Sequence, residues 1–323
     1  MKFSIIIPVY NRPGEVKELL ESLSLQTYQN FEVVVVEDGS SLKCEDIVAS
    51  FQSKFPISYY YKINEGRSIA RNYGIARATG DYFIIFDSDC IIPEHYLSTV
   101  EDFLQQNPVD CFGGPDAAHP SFTPVQKAIS YSMTSFFTTG GLRGGSKKVT
   151  KFYPRSFNMG FNKKVMDATG GFPNIPLAED IELSFRIEKA GLKIALIEQA
   201  FVYHKRRTSF RQFFRQVNRF GIGRIDLYKK YPSTLKLTHF IPALFVCFTI
   251  VSLLLSLFCP LSLLPLLAYL LLIVVDSAIQ NKNISIGFLS AWSALIQMFG
   301  YGTGFIKAFV KRVILKQGEF GRY

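Results

Sequence analysis

Between Leu237 and Val275 the chain contains no lysine, arginine, aspartate or glutamate. Thirty-nine uncharged, leucine-rich residues exclude an ordinary solvated surface there; they exceed one membrane span of roughly 20 residues and suit two. Cys259-Pro260-Leu261-Ser262 supplies a turn, so a C-terminal transmembrane helical hairpin is expected at about 238–258 and 262–280. Cysteine is also scarce. The five (44, 90, 111, 247, 259) show no C-x-x-C and no paired spacing, which excludes a disulfide framework and fits reduced thiols. Met1-Lys2 leads straight into an apolar strand, Phe3 to Ile7, with no leader-like segment before it, so the amino-terminal part is expected to stay in the cytosol. The turn after that strand holds Gly14 alone and lacks G-x-G-x-x-G, which excludes the usual dinucleotide cradle.

The formal net charge of +10 raises nucleic acid as a partner, but no nucleic-acid-binding motif is present. Nine lysines and arginines lie between Tyr203 and Tyr231 against one acid, Asp226, just before the first apolar run. More follow at Lys307, Lys311, Arg312, Lys316 and Arg322. Basic residues beside membrane segments mark the cytoplasmic side and attract anionic lipid. Phe210 to Gly221, basic and aromatic, suits an amphipathic helix on that surface. Ile284 to Ile306 is uncharged but carries Gly287, Gly300, Gly302 and Gly304. A third full span there would send the basic tail outside, so an interfacial or re-entrant segment is expected at about 284–310.

Upstream, apolar runs alternate with helical spacing. Strands are expected at 3–7, 31–36, 57–61, 82–86, 193–197 and 200–204, with helices at 15–25, 43–51 and 68–78. The early strands are apolar on both faces, which predicts an α/β, doubly wound, mainly parallel sheet. Ligands of such sheets sit at the carboxyl ends of the strands. Tyr10-Asn11-Arg12, Glu37-Asp38 and Asp87-Ser88-Asp89 all fall there. Asp87 and Asp89, two apart, share a face and form a hard-oxygen pair suited to Mg²⁺ or Mn²⁺. Asn64 to Asn72 opens a helix at the same edge, where backbone N–H groups and Arg67 or Arg71 can meet phosphate or sugar. The Gly-rich run Thr138 to Ser146 is either an acceptor lid or a plain surface loop.

IIIPVYNR (from Ile5), VVEDGS (from Val35), NEGRSIARNYG (from Asn64), DYFIIFDSD (from Asp81) and LAEDIELSFRI (from Leu177), in this order, resemble glycosyltransferase family 2. The resemblance covers roughly residues 1–225 and implies a GT-A fold with inversion at the sugar carbon. It implies that Asp38 binds the uracil or ribose side of a nucleotide, that Asp89 binds the metal, and that Asp87 contacts ribose or metal. Pro8, Gly66, Ser88 and Glu179 belong to the same motifs, and Asn158 is expected to shape the donor-sugar pocket. Direct displacement needs a carboxylate to take the acceptor's proton; the family places it at the Asp of the Glu179-Asp180 pair. A histidine after a late strand, here His204, completes the metal site in many members. Gln216-x-x-Arg219-Phe220, with Arg215 beside it, faintly resembles the Q-x-x-R-W of processive synthases, with Phe replacing Trp.

The expectation is therefore a catalytic domain over 1–225 and a membrane-associated region over 226–323. The function expected is metal-dependent transfer of a single sugar from a UDP-linked or other nucleotide diphosphate donor to a lipid-linked saccharide, on the cytoplasmic face of the inner membrane. The alternatives are a processive synthase and a non-catalytic nucleotide-sugar-binding membrane protein.

Overall fold

The computed structural model describes residues 1–140 and 152–318. Most of the Gly-rich run, including Gly141 to Ser146, and Arg322 lie outside the described residues. Two compact units are present: one of 1–119, 152–175 and 179–205, the other of 120–140, 176–178 and 206–318.

In the first unit the strands are β1 (Phe3–Val9), β2 (Phe31–Asp38), β3 (Ile57–Lys62), β4 (Tyr82–Ile85), β5 (Cys90–Ile91), β6 (Cys111–Gly113), β7 (Asp116–Ala117), β8 (Met159–Asn162), β9 (Ile194–Leu196) and β10 (Val202–His204). Seven form one sheet in the order β3-β2-β1-β4-β8-β6-β9, and β5-β10-β7 form a second, small one. The pairs among β3, β2, β1 and β4 are parallel, as is β6 with β9; only β8 runs against its neighbours. This is the expected mainly parallel sheet with one reversed strand.

Period-two alternation builds a core on each face. Ile5, Ile7, Val33, Val35 and Ile84 join Leu19, Leu20, Leu97 and Val100 from helices Pro13–Leu23 and Tyr96–Gln106. Ile6, Val34, Val36, Phe83 and Ile85 join Ala70, Ile75, Leu183 and Ile187 from helices Arg67–Ile75 and Glu179–Lys189. Fully burying an aliphatic side chain stabilises by about 1.5–3 kcal/mol, so both faces drive the same register. Because β1, β2 and β4 are parallel, the turns that follow them share one sheet edge.

The second unit is helical: Pro124–Thr134, Phe210–Lys230, Ile241–Leu255, Leu264–Asn281 and Ile284–Phe309 are its long helices. Leu237–Leu255, Pro260–Asn281 and Ile284–Ile314 are each long and apolar enough to cross a membrane. Two expectations change. The segment 284–310 is one unbroken helix, so a re-entrant reversal is absent. The unit boundary falls at 205/206 instead of 225, and 120–140 belongs with the second unit. The reason is close packing between Phe210–Lys230 and Ile284–Phe309. A Cβ at Gly221 would lie 2.2 Å from the Tyr301 carbonyl oxygen, and one at Gly304 2.2 Å from that of Asn218. Small residues let two backbones approach this closely.

Candidate active site

The three turns at the sheet edge are knitted together. Asn11, with a positive φ of 55°, accepts hydrogen bonds at Oδ1 from the backbone N–H groups of Ser41 (2.8 Å) and Leu42 (3.0 Å). Its own N–H donates to Ser40 Oγ (2.7 Å). Gly39 has φ +75°, and a Cβ there would lie 2.6 Å from the Asn64 nitrogen, so glycine is required on both counts. Asp38 accepts from the Glu65 and Gly66 N–H groups (3.1 and 2.9 Å) and pairs with Lys62 (2.8 Å). Tyr10 is exposed beside these turns, and Pro8 sits within β1 opposite Val36.

Arg71 is buried to 1% exposure beneath the edge and joins three acceptors. Its Nη1 donates to Glu179 Oε1 (3.0 Å), and its Nη2 to Asp87 Oδ1 (2.8 Å) and Ser156 Oγ (2.9 Å), with its guanidinium 5.0 Å from the centre of the Phe172 ring. Arg67 clasps the other side of Glu179 (Nη2 to Oε2, 2.8 Å). Desolvation beneath the edge would lower the pKa of Arg67, whose side chain is still 53% exposed, but the charge of Glu179, with those of Asp87 and Asp180, outweighs this and raises it. Glu179 is thus the counter-ion of two arginines. Its neighbour Asp180 is more accessible: Oδ1 accepts from the Ile181 N–H (2.8 Å), Oδ2 only at 3.4 Å from the Ser156 N–H, and Arg155 stands 3.9 Å away.

A second cluster gathers around Asp89. Its Oδ2 accepts from Arg12 Nη1 (2.6 Å), and its Oδ1 lies 3.2 Å from His204 Nε2. His204 Nδ1 is 3.7 Å from Asp116 Oδ2, and its ring stacks on Phe157 at 4.6 Å. Two ligands of one ion, each about 2.1 Å from it at right angles, lie about 3 Å apart, so the Asp89–His204 separation fits a shared Mn²⁺ or Mg²⁺. Asp116 places a second carboxylate on the far side of the imidazole, where its charge favours an N–H at Nδ1 and leaves Nε2 toward Asp89. Cys90 is close enough to be a third donor, but burial pushes its thiol well above its usual range, and a protonated sulfur does not suit a hard ion.

Not every candidate reaches this edge. Glu37 is fully buried, with its carboxylate accepting from the Cys44 N–H (2.8 Å) and Tyr59 Oη (3.3 Å). As the neighbour of Asp38 in a strand it points the opposite way. Asn158 is also fully buried; it donates to the Ala200 carbonyl (2.8 Å) and accepts from Tyr96 Oη, so it braces the fold and lines no accessible pocket. Arg215 and Arg219 are exposed on Phe210–Lys230, in the other unit. Ser88 is buried between Asp87 and Asp89, while Asn64 is exposed and Gly66 precedes the helix with φ 99°. Sequence reasoning missed Lys62, Asp116, Ser156 and Phe172. Asp116 sits on a two-residue strand, too short for any periodicity.

Residues 4–169, just over half of the chain, match the profile of Glycosyl transferase family 2. The chain belongs to glycosyltransferase family 2. It is 28% identical over 210 residues to the minor teichoic acid biosynthesis protein GgaB of Bacillus subtilis, covering 63% of this chain and 23% of that protein. This family member spans about a fifth of the length of the curated relatives it first matches. Among solved structures it resembles a mannosyltransferase of Pyrobaculum calidifontis in complex with GDP-Man and Mn²⁺ (TM-score 0.57, 16% identity, 98% of this chain and 88% of that one). It also resembles S. aureus TarS 1-349 in complex with UDP-GlcNAc (TM-score 0.51, 17% identity, 98% and 93%). At these identities the likeness establishes the fold, a GT-A-like α/β domain.

Proposed function

We propose that this chain transfers a single sugar, with inversion, from a nucleotide diphosphate sugar to a lipid-linked saccharide at the cytoplasmic face of the inner membrane. The observation that carries the reading is the division of labour in the Glu179-Asp180 pair: Glu179 is spent on Arg67 and Arg71, which leaves Asp180 as the more accessible carboxylate of the two. Asp180 then takes the acceptor hydroxyl's proton as the sugar carbon is attacked. Arg71 fixes Asp87 at the ribose side, and Asp89 and His204 hold a divalent cation. A cation held by Asp89 and His204 would supply positive charge opposite the departing diphosphate. Arg12 occupies the second oxygen of Asp89 and turns the first toward His204.

A nucleotide-sugar donor is supported by the UDP-GlcNAc complex of TarS and the GDP-Man complex of the mannosyltransferase, and an acceptor of the cell envelope by the role in the name of GgaB. The test is a donor screen that measures nucleoside diphosphate release with a membrane extract as acceptor, with Mn²⁺, Mg²⁺ or EDTA. Release from one donor, abolished by EDTA, supports the reading. Binding without turnover on any donor would leave a non-catalytic protein, and a polymeric product would make it a processive synthase.

A further inference from the structure

We infer that Ile284–Phe309 does not cross the bilayer but lies flat in its interfacial layer, across the open end of a two-span hairpin, with Trp292 as its lipid-facing anchor. Length and composition alone would allow a third span. The packing does not.

The hairpin is Ile241–Leu255 and Leu264–Asn281, joined by the turn at Cys259. The closest contacts of the first half of Ile284–Phe309 with the hairpin fall on the later part of its second helix. A Cβ at Gly287 would lie 2.5 Å from the Val274 carbonyl oxygen, Ser290 Oγ is 2.7 Å from Ser277 Oγ, and Ala291 and Ala294 pack with Ile273 and Val274. The closest contacts of its second half fall on the start of the first. Phe299 packs on Phe245, a Cβ at Gly302 would lie 2.4 Å from the Pro242 carbonyl oxygen, and Phe305 packs with Phe240 and Ala243. At 1.5 Å per residue, Gly287 to Phe305 is about 27 Å of helix, yet its partners occupy a band only about 10 Å deep along the hairpin, about 14–23 Å from the ends of the two helices that face the turn. A helix that long, confined to so narrow a band, runs across its partners and not along them.

Two further contacts agree. Phe210–Lys230 runs parallel beside the same helix: Phe213 packs with Ile296, Val217 with Gly300, Asn218 with Gly304 and Ile225 with Ala308. It exposes Arg211, Arg215, Arg219, Lys229 and Lys230, a load that cannot sit in hydrocarbon, where each central cation costs about 3 kcal/mol or more. Ser293 Oγ lies 2.8 Å from Ser132 Oγ on Pro124–Thr134, so a third helix packs beside Ile284–Phe309 where a lone span would meet lipid. The outward residues Phe288 and Trp292 are exposed, and Trp292, the chain's sole tryptophan, is a residue type enriched at membrane interfaces.

The inference rests on the hairpin being membrane-embedded, and the experiment separates the two. The full chain carries Cys247→Ser throughout, and an impermeant maleimide is applied to right-side-out and inside-out vesicles. The native Cys259 marks the hairpin turn; Lys54→Cys and Gln317→Cys, each with Cys259→Ser, mark the first unit and the tail. Labelling of positions 54 and 317 from one side and of Cys259 from the other is expected. Position 317 reacting from the side of Cys259 would overturn the flat helix; Cys259 reacting from the side of position 54 would overturn the hairpin beneath it. Native Trp292 fluorescence in vesicles gives the depth. Lipid brominated near the headgroup should quench it more than lipid brominated near the chain end, whereas a spanning helix would put it about 12 Å from the helix start and reverse that order.

Discussion

Arg71 Nη1 and Glu179 Oε1 lie 3.0 Å apart with both side chains almost wholly buried, and this pair ties the helix that follows β3 to the helix that carries Asp180. A buried arginine is stable only with its charge matched, and Glu179 serves Arg67 as well. The network therefore orders the edge that carries the proposed site without offering Glu179 as a base.

It follows that Glu179 and Asp180 respond differently to amide substitution. Removing one partner of a buried pair costs about 3–5 kcal/mol, so Glu179→Gln should lower the unfolding temperature by roughly 10 °C. Asp180→Asn leaves packing intact and should keep the unfolding temperature within about 2 °C while kcat falls about 10²–10⁴-fold, with donor affinity unchanged. Thermal melts and steady-state kinetics on the two variants decide it. A stable Glu179→Gln that loses more turnover than Asp180→Asn would exchange their roles.

The Asp89–His204 pair predicts where metal dependence resides. Asp89→Ala should abolish turnover and remove the Mn²⁺-dependent part of donor binding, and His204→Gln should shift the metal requirement to higher concentration. Titrating nucleotide by calorimetry with and without Mn²⁺ reads both. Unchanged Mn²⁺ dependence in Asp89→Ala would take the ion away from this cluster.

Much of the arrangement was legible because parallel strands with two apolar faces bring their carboxyl ends to one edge, and Asn11, Asp38 and Asp89 follow such strands. The expectation for Glu37 failed for a reason the sequence did hold: adjacent residues of a strand point apart, so with Asp38 at the edge Glu37 turns inward. Asn158 was not: its inward turn depends on Tyr96 and Ala200, far away in sequence. Nor was the unit boundary, which turns on Gly221, Gly300 and Gly304 meeting across two helices, a contact that no local period encodes.

Those glycines make a stability prediction. Gly304→Leu would force a side chain into the Asn218 carbonyl, and Gly221→Val into that of Tyr301. Overpacking of this kind typically costs about 1–3 kcal/mol, occasionally more. Each variant should lose monodispersity in detergent, while Gly14→Ala, with open space around the added carbon, should behave as wild type. A monodisperse Gly304→Leu at wild-type melting temperature would mean the two helices do not pack this closely.

The last prediction concerns truncation. Motif positions alone suggest that deleting 237–323 would leave a soluble catalytic domain, since every candidate residue precedes 225. The packing says otherwise. Ile129, Met133, Phe213 and Val217 form one buried cluster that Ile296 helps to cover, and Ser132 bonds to Ser293. Ending the chain at Lys236 strips that cover and leaves the apolar sides of Pro124–Thr134 and Phe210–Lys230 in water, a patch of the kind that drives association. The 1–236 fragment should therefore aggregate unless detergent is present. A chain that ends at Lys205 and replaces 120–140 with a short flexible linker removes both helices; it keeps β1 to β10 and should stay monomeric and bind donor nucleotide. Size-exclusion chromatography of the two fragments is the measurement. If 1–236 elutes as a detergent-free monomer, the helices of the second unit hold one another without Ile284–Phe309, and the boundary belongs nearer residue 225.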